Sequence, residues 1–333
     1  MTLAEAVLAA LFVGLTAYAL FGGADFGGGF WDLVAGNPAR GRATRELIEH
    51  SIGPLWEANH VWLIFALVVL WTGFPAAFAS IMSTLYVPLT LAALGVILRG
   101  AGFAFRKSVP EVRLKQLFGA MFAVSSVLTP FFLGAVAGGI ASGRVPAGNA
   151  AGDPIGSWWN PTSVLGGVLA VGSCAYLAAV YLTGDATRAG DVDLAKGFRR
   201  RAIVTALVVA VLAAAGVFVL RADAPELLHG LTRRGLSLMV LSALFGMASV
   251  VLLAQRRYLI ARVTAAGAVA AVLWGWAAGQ YPYLLERTTT IAEAAAPRAT
   301  LTALLVALVV TAVLVVPSLT LLYTLFQHDR RDH

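Results

Sequence analysis

A long stretch without a single charged residue lies at positions 202–220 and reads AIVTALVVAVLAAAGVFVL. Because a transmembrane helix needs about 20 mostly apolar residues, this stretch is expected to cross a membrane. The whole chain has the same character. Of its 333 residues 59% are hydrophobic and only 12% are charged, against roughly 25% charged residues in soluble domains. The composition predicts an all-α polytopic membrane protein, and it excludes a cytosolic enzyme, a nucleic-acid-binding domain and a disulfide scaffold.

Nine apolar stretches of this kind predict nine membrane helices. They cover about residues 4–34, 50–72, 76–103, 114–141, 160–183, 200–221, 234–254, 259–280 and 299–326. Pro88, Pro130 and Pro317 lie inside three of them and are expected to kink those helices. No loop is large enough for a separate domain, so residues 1–333 are expected to form a single integral membrane domain.

The basic residues predict the orientation of these helices. If the nine helices alternate in direction, 18 of the 24 Lys and Arg residues lie with the first, third, fifth and seventh loops and the C-terminus. The other side holds Arg144, Arg221, Arg233, Arg234, Arg287 and Arg298. Since cytoplasmic loops carry the excess of Lys and Arg, the C-terminus is predicted to be cytoplasmic and the N-terminus outside.

Two acidic residues lie well inside predicted helices, away from the helix ends, where an ionisable side chain is costly and by default marks a functional site. Asp25 lies in FGGADFGGGF (21–30) and Glu57 lies in GPLWEANHVW (53–62). At about 1.5 Å per residue, both carboxylates are expected on the order of 10 Å below the cytoplasmic surface. Two carboxylates at matched depth on adjacent helices can relay protons. The alternative is structural pairing with a base, for which Arg99 is the candidate.

Glycines surround Asp25, and they have two interpretations. Gly23 and Gly27 are four residues apart, a spacing that permits close approach of another helix. Five glycines within eight residues also weaken the helix enough to allow local unwinding. We favour close packing.

His60 is the one histidine of five that lies deep inside a predicted helix. A transmembrane bis-histidine haem needs two deep histidines on facing helices, so the sequence predicts no haem ligand in this chain. A hydrogen-bonding role beside Glu57 is expected for His60. The sequence also shows no metal-binding Cys/His cluster, and the single Cys174 cannot form an intrachain disulfide.

Five segments carry distinctive motifs. They are GADFGGGF (23–30), IGPLWEANHVWLI (52–64), RGAGFAFR (99–106), YPYLL (281–285) and TIAEAA (290–295). In the second segment Trp, an acid, Asn and Trp stand at fixed offsets. Together the segments span most of the chain, and they resemble subunit II of the cytochrome bd-type quinol oxidases.

The resemblance implies a fold and a complex. Subunit II of that family has two four-helix bundles plus one peripheral helix, and it pairs with a similarly folded subunit I. Subunit I carries two b-type haems, one d-type haem and the quinol-oxidising loop, whereas subunit II ligates no haem. The implied activity is that of a quinol:oxygen oxidoreductase of the bacterial cytoplasmic membrane, which draws protons from the cytoplasm. Lipid, quinone and a small single-helix accessory subunit are further partners that the resemblance leaves open.

The resemblance also implies site residues. The family's proton pathway uses acids in the first two helices of subunit II, which map by motif position to Asp25 and Glu57. The expected supporting residues are Trp56, Asn59, His60 and Arg99.

A proton-coupled secondary transporter is the alternative function, because it would also place acids inside membrane helices. Transporters commonly have discontinuous helices and a substrate site near the bilayer midplane. Here the acids lie toward the predicted cytoplasmic side, and the second half of the chain has no broken segment to match the first. The resemblance favours the oxidase subunit.

Overall fold

The computed structural model describes residues 1–37, 41–52, 56–285 and 289–329, with the side chains of residues 52, 56–58, 107, 315, 316 and 319–329 outside that description. Its helices are α1 (Leu3–Ala17), α2 (Gly23–Leu33), α3 (Arg42–Ile52), α4 (Trp56–Gly73), α5 (Pro75–Thr84), α6 (Tyr86–Ser108), α7 (Val112–Ala141), α8 (Pro161–Arg188), α9 (Val192–Asp223), α10 (Pro225–Arg233), α11 (Leu236–Ala254), α12 (Tyr258–Gln280), α13 (Ile291–Ala294) and α14 (Arg298–Asp329). A π-helical turn, Tyr18–Gly22, joins α1 to α2. An antiparallel hairpin pairs β1 (Tyr283–Leu285) with β2 (Thr289–Thr290).

Seven helical segments of the described chain are long and apolar enough to cross a membrane. They are Leu3–Leu33, Tyr86–Arg106, Val112–Ala141, Pro161–Arg188, Val192–Asp223, Leu236–Ala254 and Tyr258–Gln280. The bent pair α4 and α5 adds an eighth if it forms one span, while the apolar segment Arg298–Leu314 is shorter than the others. The all-α membrane class is therefore confirmed, whereas the predicted count of nine spans is not.

The structure differs from the prediction of one helix over residues 76–103. The chain forms α5 and α6 there, separated at Leu85, which has φ −99° and ψ 25°. Pro88 explains the break, because its nitrogen has no hydrogen to donate to the carbonyl of Thr84 and its ring crowds that carbonyl. At the other end of α5, Pro75 begins the helix, and α4 and α5 meet at an angle of 119°.

Other predicted features are also modified. Residues 50–52 of the predicted second helix belong to α3, residues 53–55 lie outside the described residues, and α4 covers Trp56–Gly73. Pro130 and Pro317 lie inside α7 and α14, which both continue past the proline.

The helix ends fall into two groups. At one end, called the hairpin end, the β-hairpin lies with the loop 142–160 and α10, and the N–H of Ala296 donates to the carbonyl of Gly73 at 2.8 Å. At the other, called the Asp32 end, α2 ends just after Asp32, and α3 lies with the turns that follow α6, α8 and α11. These two groups are the ends of one set of alternating helices.

Two large clusters of buried apolar side chains hold the helices together. One centres on Val7, Phe74 and Leu285, and the other on Leu177 and Phe198. Outside these clusters, long apolar faces remain exposed, most extensively on α9 and α11. Because a bilayer solvates apolar side chains, such faces are suited to contact lipid.

The glycines beside Asp25 let α2 pack tightly against two neighbours. A Cβ added at Gly27 would lie 1.9 Å from the carbonyl oxygen of Cys174 on α8, and one added at Gly29 would lie 2.1 Å from Oγ of Ser126 on α7. At Gly23 the nearest atom would be 3.3 Å away, on Leu177. Helix α2 is unbroken from Gly23 to Leu33. The close-packing interpretation is therefore correct, and the need for a residue without a side chain is strictest at Gly27.

Gly27→Ala is expected to destabilise the fold by about 1–3 kcal/mol, because the new methyl group must displace the α8 backbone. The measurement is the thermal unfolding midpoint of the detergent-solubilised protein. Gly246→Ala on α11 is the matched control, since a Cβ there meets nothing within 4 Å. Equal midpoints for the two variants would contradict the tight α2–α8 contact.

Candidate functional site

An ion pair lies deep inside the described part of the protein. Asp25 on α2 is 3% exposed and Arg99 on α6 is 1% exposed. Nη1 of Arg99 donates to Oδ2 of Asp25 at 2.8 Å, and Nη2 donates to Oδ1 at 2.7 Å and to the Asp25 carbonyl oxygen at 3.2 Å. This bidentate geometry, in which a planar guanidinium faces a carboxylate, is among the strongest hydrogen-bonded arrangements in proteins.

The remaining surface of the Arg99 guanidinium is also covered. Nε donates to Oγ of Ser126 at 2.9 Å, and the Ser126 hydroxyl donates in turn to the carbonyl oxygen of Phe122 at 2.6 Å. The guanidinium carbon lies 4.9 Å from the ring centre of Phe26 and 4.7 Å from that of Phe122. Such a pair is costly to bury, but breaking it by removing one partner costs about 3–5 kcal/mol, because a buried charge is left uncompensated.

Glycines on α6 let Arg99 reach across α7 to α2. A Cβ added at Gly95 would lie 2.2 Å from Oγ1 of Thr129, and one at Gly102 would lie 2.8 Å from the carbonyl oxygen of Phe118. These two glycines flank Arg99, one on each side along the helix. The close approach of α6 to α7 therefore brings the Arg99 side chain to Ser126 and Asp25.

A second charge cluster lies at the Asp32 end. Oδ1 of Asp32 accepts from Nε of Arg45 at 2.6 Å, and Oδ2 accepts from Nη1 of Arg106 at 2.8 Å. The Asp32 side chain is 6% exposed, whereas the two arginine side chains are 22% and 27% exposed. The sequence analysis did not identify Asp32 or Arg106 as site residues.

The two charge clusters repeat with the same spacing. Asp25 and Asp32 are seven residues apart on α2, and Arg99 and Arg106 are seven residues apart on α6. Seven residues are close to two helical turns, so each pair shares one face and its members lie about 10 Å apart along the axis. This matched spacing is the sequence signal that could have located the second cluster.

A small cleft lies at the Asp32 end, beside the second charge cluster. It has a volume of ≈ 20 Å³, which is room for about one water molecule. Its lining consists of Asp32, Arg45, Ile48, Glu49, Phe103, Arg106 and Phe122. Phe122 is also one of the two rings against the Arg99 guanidinium, so the cleft ends one side chain away from the Asp25–Arg99 pair.

Tyr18 is a further residue that the sequence analysis missed. It begins the π-helical turn, its ring meets that of Phe26 edge-on at 6.3 Å, and its hydroxyl is buried without a partner among the described residues. π-Helical turns occur often at functional sites. The side-chain nitrogen of Asn59 is likewise buried and without a described partner, and its helix α4 packs against both α1 and the π-helical turn.

The predicted site residues are only partly brought together. Asp25 and Arg99 are in direct contact, and the structure thus shows the pairing that was the structural alternative for Asp25. Asn59 is buried and His60 is partly buried on α4. The side chains of Trp56 and Glu57 lie outside the described residues, so the matched depth of the two acids remains a prediction. Among the described residues, no three His, Cys, Asp or Glu side chains form a group suited to a metal ion.

The last loop is a structured cap at the hairpin end. Thr290 and Glu293 form a capping box at the start of α13, and the backbone N–H of Thr290 lowers the pKa of the Glu293 carboxyl by donating to it. The hydroxyl of Tyr281 donates to Glu5 at 3.0 Å, which raises the pKa of Tyr281. The side-chain amide of Gln280 donates to the carbonyl of Leu284 at 2.6 Å. The motifs in this loop therefore have a direct structural role.

A model of the family described as cytochrome bd terminal oxidase subunit II matches residues 3–326. The chain belongs to this family. The resemblance that the sequence motifs indicated is therefore confirmed over nearly the whole length of the chain.

Individual members of the cytochrome bd family give the same result. The cytochrome bd ubiquinol oxidase subunit 2 of Bacillus subtilis is 27% identical over 230 residues, which are 69% of this chain and 64% of that protein. The cytochrome bd-I ubiquinol oxidase subunit 2 of Escherichia coli K12 is 30% identical over 218 residues, 62% of this chain and 54% of that protein. The matched part thus spans less than two thirds of either relative's length.

A solved structure extends the comparison to both ends of the chain. In the bd oxidase from Geobacillus thermodenitrificans, one polypeptide matches with a TM-score of 0.78 and 28% identity. The match covers 98% of this chain and 99% of that one. The two proteins therefore share one fold from end to end.

Asp25→Asn and Arg99→Gln are each expected to lower the thermal unfolding midpoint markedly, since either leaves one buried charge without its counter-ion, at a cost of about 3–5 kcal/mol. The unfolding midpoint of the double variant Asp25→Asn/Arg99→Gln is expected to be closer to the wild-type midpoint than that of the less stable single variant. This non-additivity is the signature of a direct contact. If the midpoint shift of the double variant equalled the sum of the two single shifts, the ion pair would be contradicted.

Proposed function

We propose that the chain is the non-haem subunit II of a cytochrome bd-type terminal oxidase, which oxidises membrane quinol and reduces oxygen to water. The family match over residues 3–326 carries the proposal, and the end-to-end likeness to a chain of a solved bd oxidase supports it. In this proposal the partner, subunit I, holds the two b-type haems, the d-type haem and the quinol site. The present chain supports assembly of that partner and supplies protons from the cytoplasm.

The proposed proton route starts at the Asp32 end. The cleft beside Asp32 is lined by polar groups together with Phe103 and Phe122, and Phe122 also lies against the Arg99 guanidinium. Glu57 stands at a matching depth on the next membrane helix on sequence grounds. The route is therefore assigned to Asp25 and Glu57, with Asn59 and His60 on α4 as supporting groups.

The two acids have different roles in this proposal. Protonation of Asp25 would weaken two hydrogen bonds to Arg99 and leave a buried guanidinium without its counter-ion. We therefore assign Asp25 the role of a carboxylate that stays ionised and holds the Arg99 guanidinium beside the route, as a pair without net charge. Glu57 is assigned the step in which a carboxylate takes up and releases the proton.

The proposed orientation places the Asp32 end at the cytoplasm. The excess of Lys and Arg on that side supports it, 18 residues against six. The N-terminus is then outside and the C-terminus cytoplasmic, so the proton route opens toward the side from which protons are drawn.

The orientation can be measured by cysteine labelling in a Cys174→Ala background, because the chain has one cysteine. A membrane-impermeant maleimide is expected to label Asn149→Cys, in the loop 142–160, in intact spheroplasts. Ala189→Cys, in the turn after α8, is expected to react only after lysis. The reverse pattern would overturn the orientation.

The oxidase assignment is tested by mild-detergent purification of the tagged chain from cells that express the whole operon. A second polytopic chain and the visible bands of b- and d-type haems are expected in the reduced-minus-oxidised spectrum. A pure chain without haem or partner would reject the assignment and favour the proton-coupled transporter.

The proton role is tested by oxygen consumption per haem in assembled variants. Glu57→Gln and the neutral pair Asp25→Asn/Arg99→Gln are each expected to slow turnover at least tenfold, since the first removes the proposed proton carrier and the second removes the ion pair beside the route. The control is Asp223→Asn/Arg144→Gln, which removes the charges of the ion pair at the hairpin end. Its oxygen consumption per haem is expected to stay within twofold of the wild-type rate. Wild-type turnover in the haem-loaded neutral pair would reduce Asp25 to a structural role.

A further inference from the structure

Five arginines cluster at the Asp32 end of the lipid-facing helices. Arg199, Arg200 and Arg201 lie on α9, and Arg256 and Arg257 lie in the turn between α11 and α12. Helices α9 and α11 pack against each other, and Leu253 near the end of α11 belongs to the same buried cluster as Phe198 on α9. These five residues are called the α9–α11 arginine cluster.

The cluster lies at the depth of lipid headgroups. On α9 the arginines are followed directly by the uncharged stretch 202–220. Its 19 residues at about 1.5 Å each span roughly 28 Å, close to the hydrocarbon thickness of a bilayer. Helix α11 also has 19 residues, and Arg256 and Arg257 follow just beyond its end. The guanidinium groups therefore stand at the boundary between hydrocarbon and water.

No carboxylate among the described residues neutralises this charge. Of the nearby carboxylates, Asp185 is paired with Arg188 and Arg262, Asp193 with Lys196, and Asp191 accepts from the N–H of Leu194 as the cap of α9. Within the described residues the cluster has no carboxylate partner. Elsewhere at the same end, by contrast, Arg45 and Arg106 share Asp32.

One member of the cluster is held in place. The guanidinium carbon of Arg201 lies 5.4 Å from the ring centre of Trp31 and 4.8 Å from that of Phe198. The Trp31 ring is itself fixed, because its Nε1–H donates to the carbonyl oxygen of Ala175 at 2.8 Å. A planar cation stacked on aromatic rings keeps its N–H edge free to bind an anion.

The surface next to the cluster is suited to acyl chains. Val204, Leu207, Val208 and Val211 follow the arginines along α9, and all four are at least half exposed. The uncharged part of α9 is buried least among the seven long apolar segments described. A ligand at this place can therefore combine an anionic headgroup with an apolar tail.

We propose that the α9–α11 arginine cluster is a binding site for an anionic phospholipid. The phosphodiester of the headgroup binds the arginines, and the acyl chains lie along the exposed face of α9. The arginines complement the negative charge of a phosphodiester, and the adjoining apolar face of α9 suits acyl chains. Together these two features favour a lipid over a soluble anion. The proposal is independent of the oxidase function.

The test is native mass spectrometry of the purified complex titrated with phosphatidylglycerol, with phosphatidylcholine as the neutral reference. Each basic residue near an anionic surface contributes roughly a fivefold gain in affinity. Arg200→Gln/Arg256→Gln is therefore expected to weaken phosphatidylglycerol binding at least tenfold. Both side chains are exposed and lack described partners, so the fold is expected to remain intact.

The matched control is Arg113→Gln/Lys115→Gln, which removes two exposed charges from the α6–α7 region at the same end. It is expected to change phosphatidylglycerol affinity less than twofold. Equal losses in the two variants, no preference of wild type for phosphatidylglycerol over phosphatidylcholine, or displacement of the lipid by millimolar inorganic phosphate would each overturn the site. If another chain of the complex covered the exposed face of α9, the purified complex would retain no phosphatidylglycerol there. That result would also overturn the proposed site.

Discussion

The structure depends on one buried ion pair. In a membrane interior no water is present to solvate an unpaired carboxylate, so Asp25 must find its counter-ion within the protein. Arg99 is that counter-ion, and it reaches Asp25 from a helix that lies on the far side of α7. Gly29 and Gly95 allow the three helices to approach closely enough, and Ser126 provides the remaining hydrogen bond. The glycine-rich sequence around the acid therefore follows from the need to pair a charge in an apolar medium.

The same constraint organises charge throughout the described chain. Asp32 holds two arginines at one end of α2, Asp185 binds Arg262, and Asp223 binds Arg144 at the hairpin end. These acids become progressively more exposed toward the bundle ends, where solvent can share the cost of the charge. The α9–α11 arginine cluster has no carboxylate partner among the described residues, and its position at headgroup depth supplies a physical reason for this.

The ion pair also changes how the two membrane acids are assigned. Sequence reasoning treats Asp25 and Glu57 as equivalent relay groups because both are acids inside helices. A carboxylate held by a bidentate guanidinium is poorly suited to a relay step, since its protonation disrupts the pair. In the proposed route Asp25 therefore stays paired with Arg99, and the proton-carrying step is assigned to Glu57. Family membership indicates the reaction, and the contacts of Asp25 distinguish its proposed role from that of a relay group.

The sequence by itself determined the all-helical membrane class, the positions of the apolar helices to within a few residues for most of them, the close packing at Gly27 and the family. Those properties follow from composition and from local patterns along one helix. The break at Leu85 follows from the local effect of Pro88, whereas the bidentate contact between Asp25 and Arg99 was decided by tertiary structure. Partners 74 residues apart meet only when packing brings their helices together, and a spacing rule along a single helix cannot show which helix lies opposite.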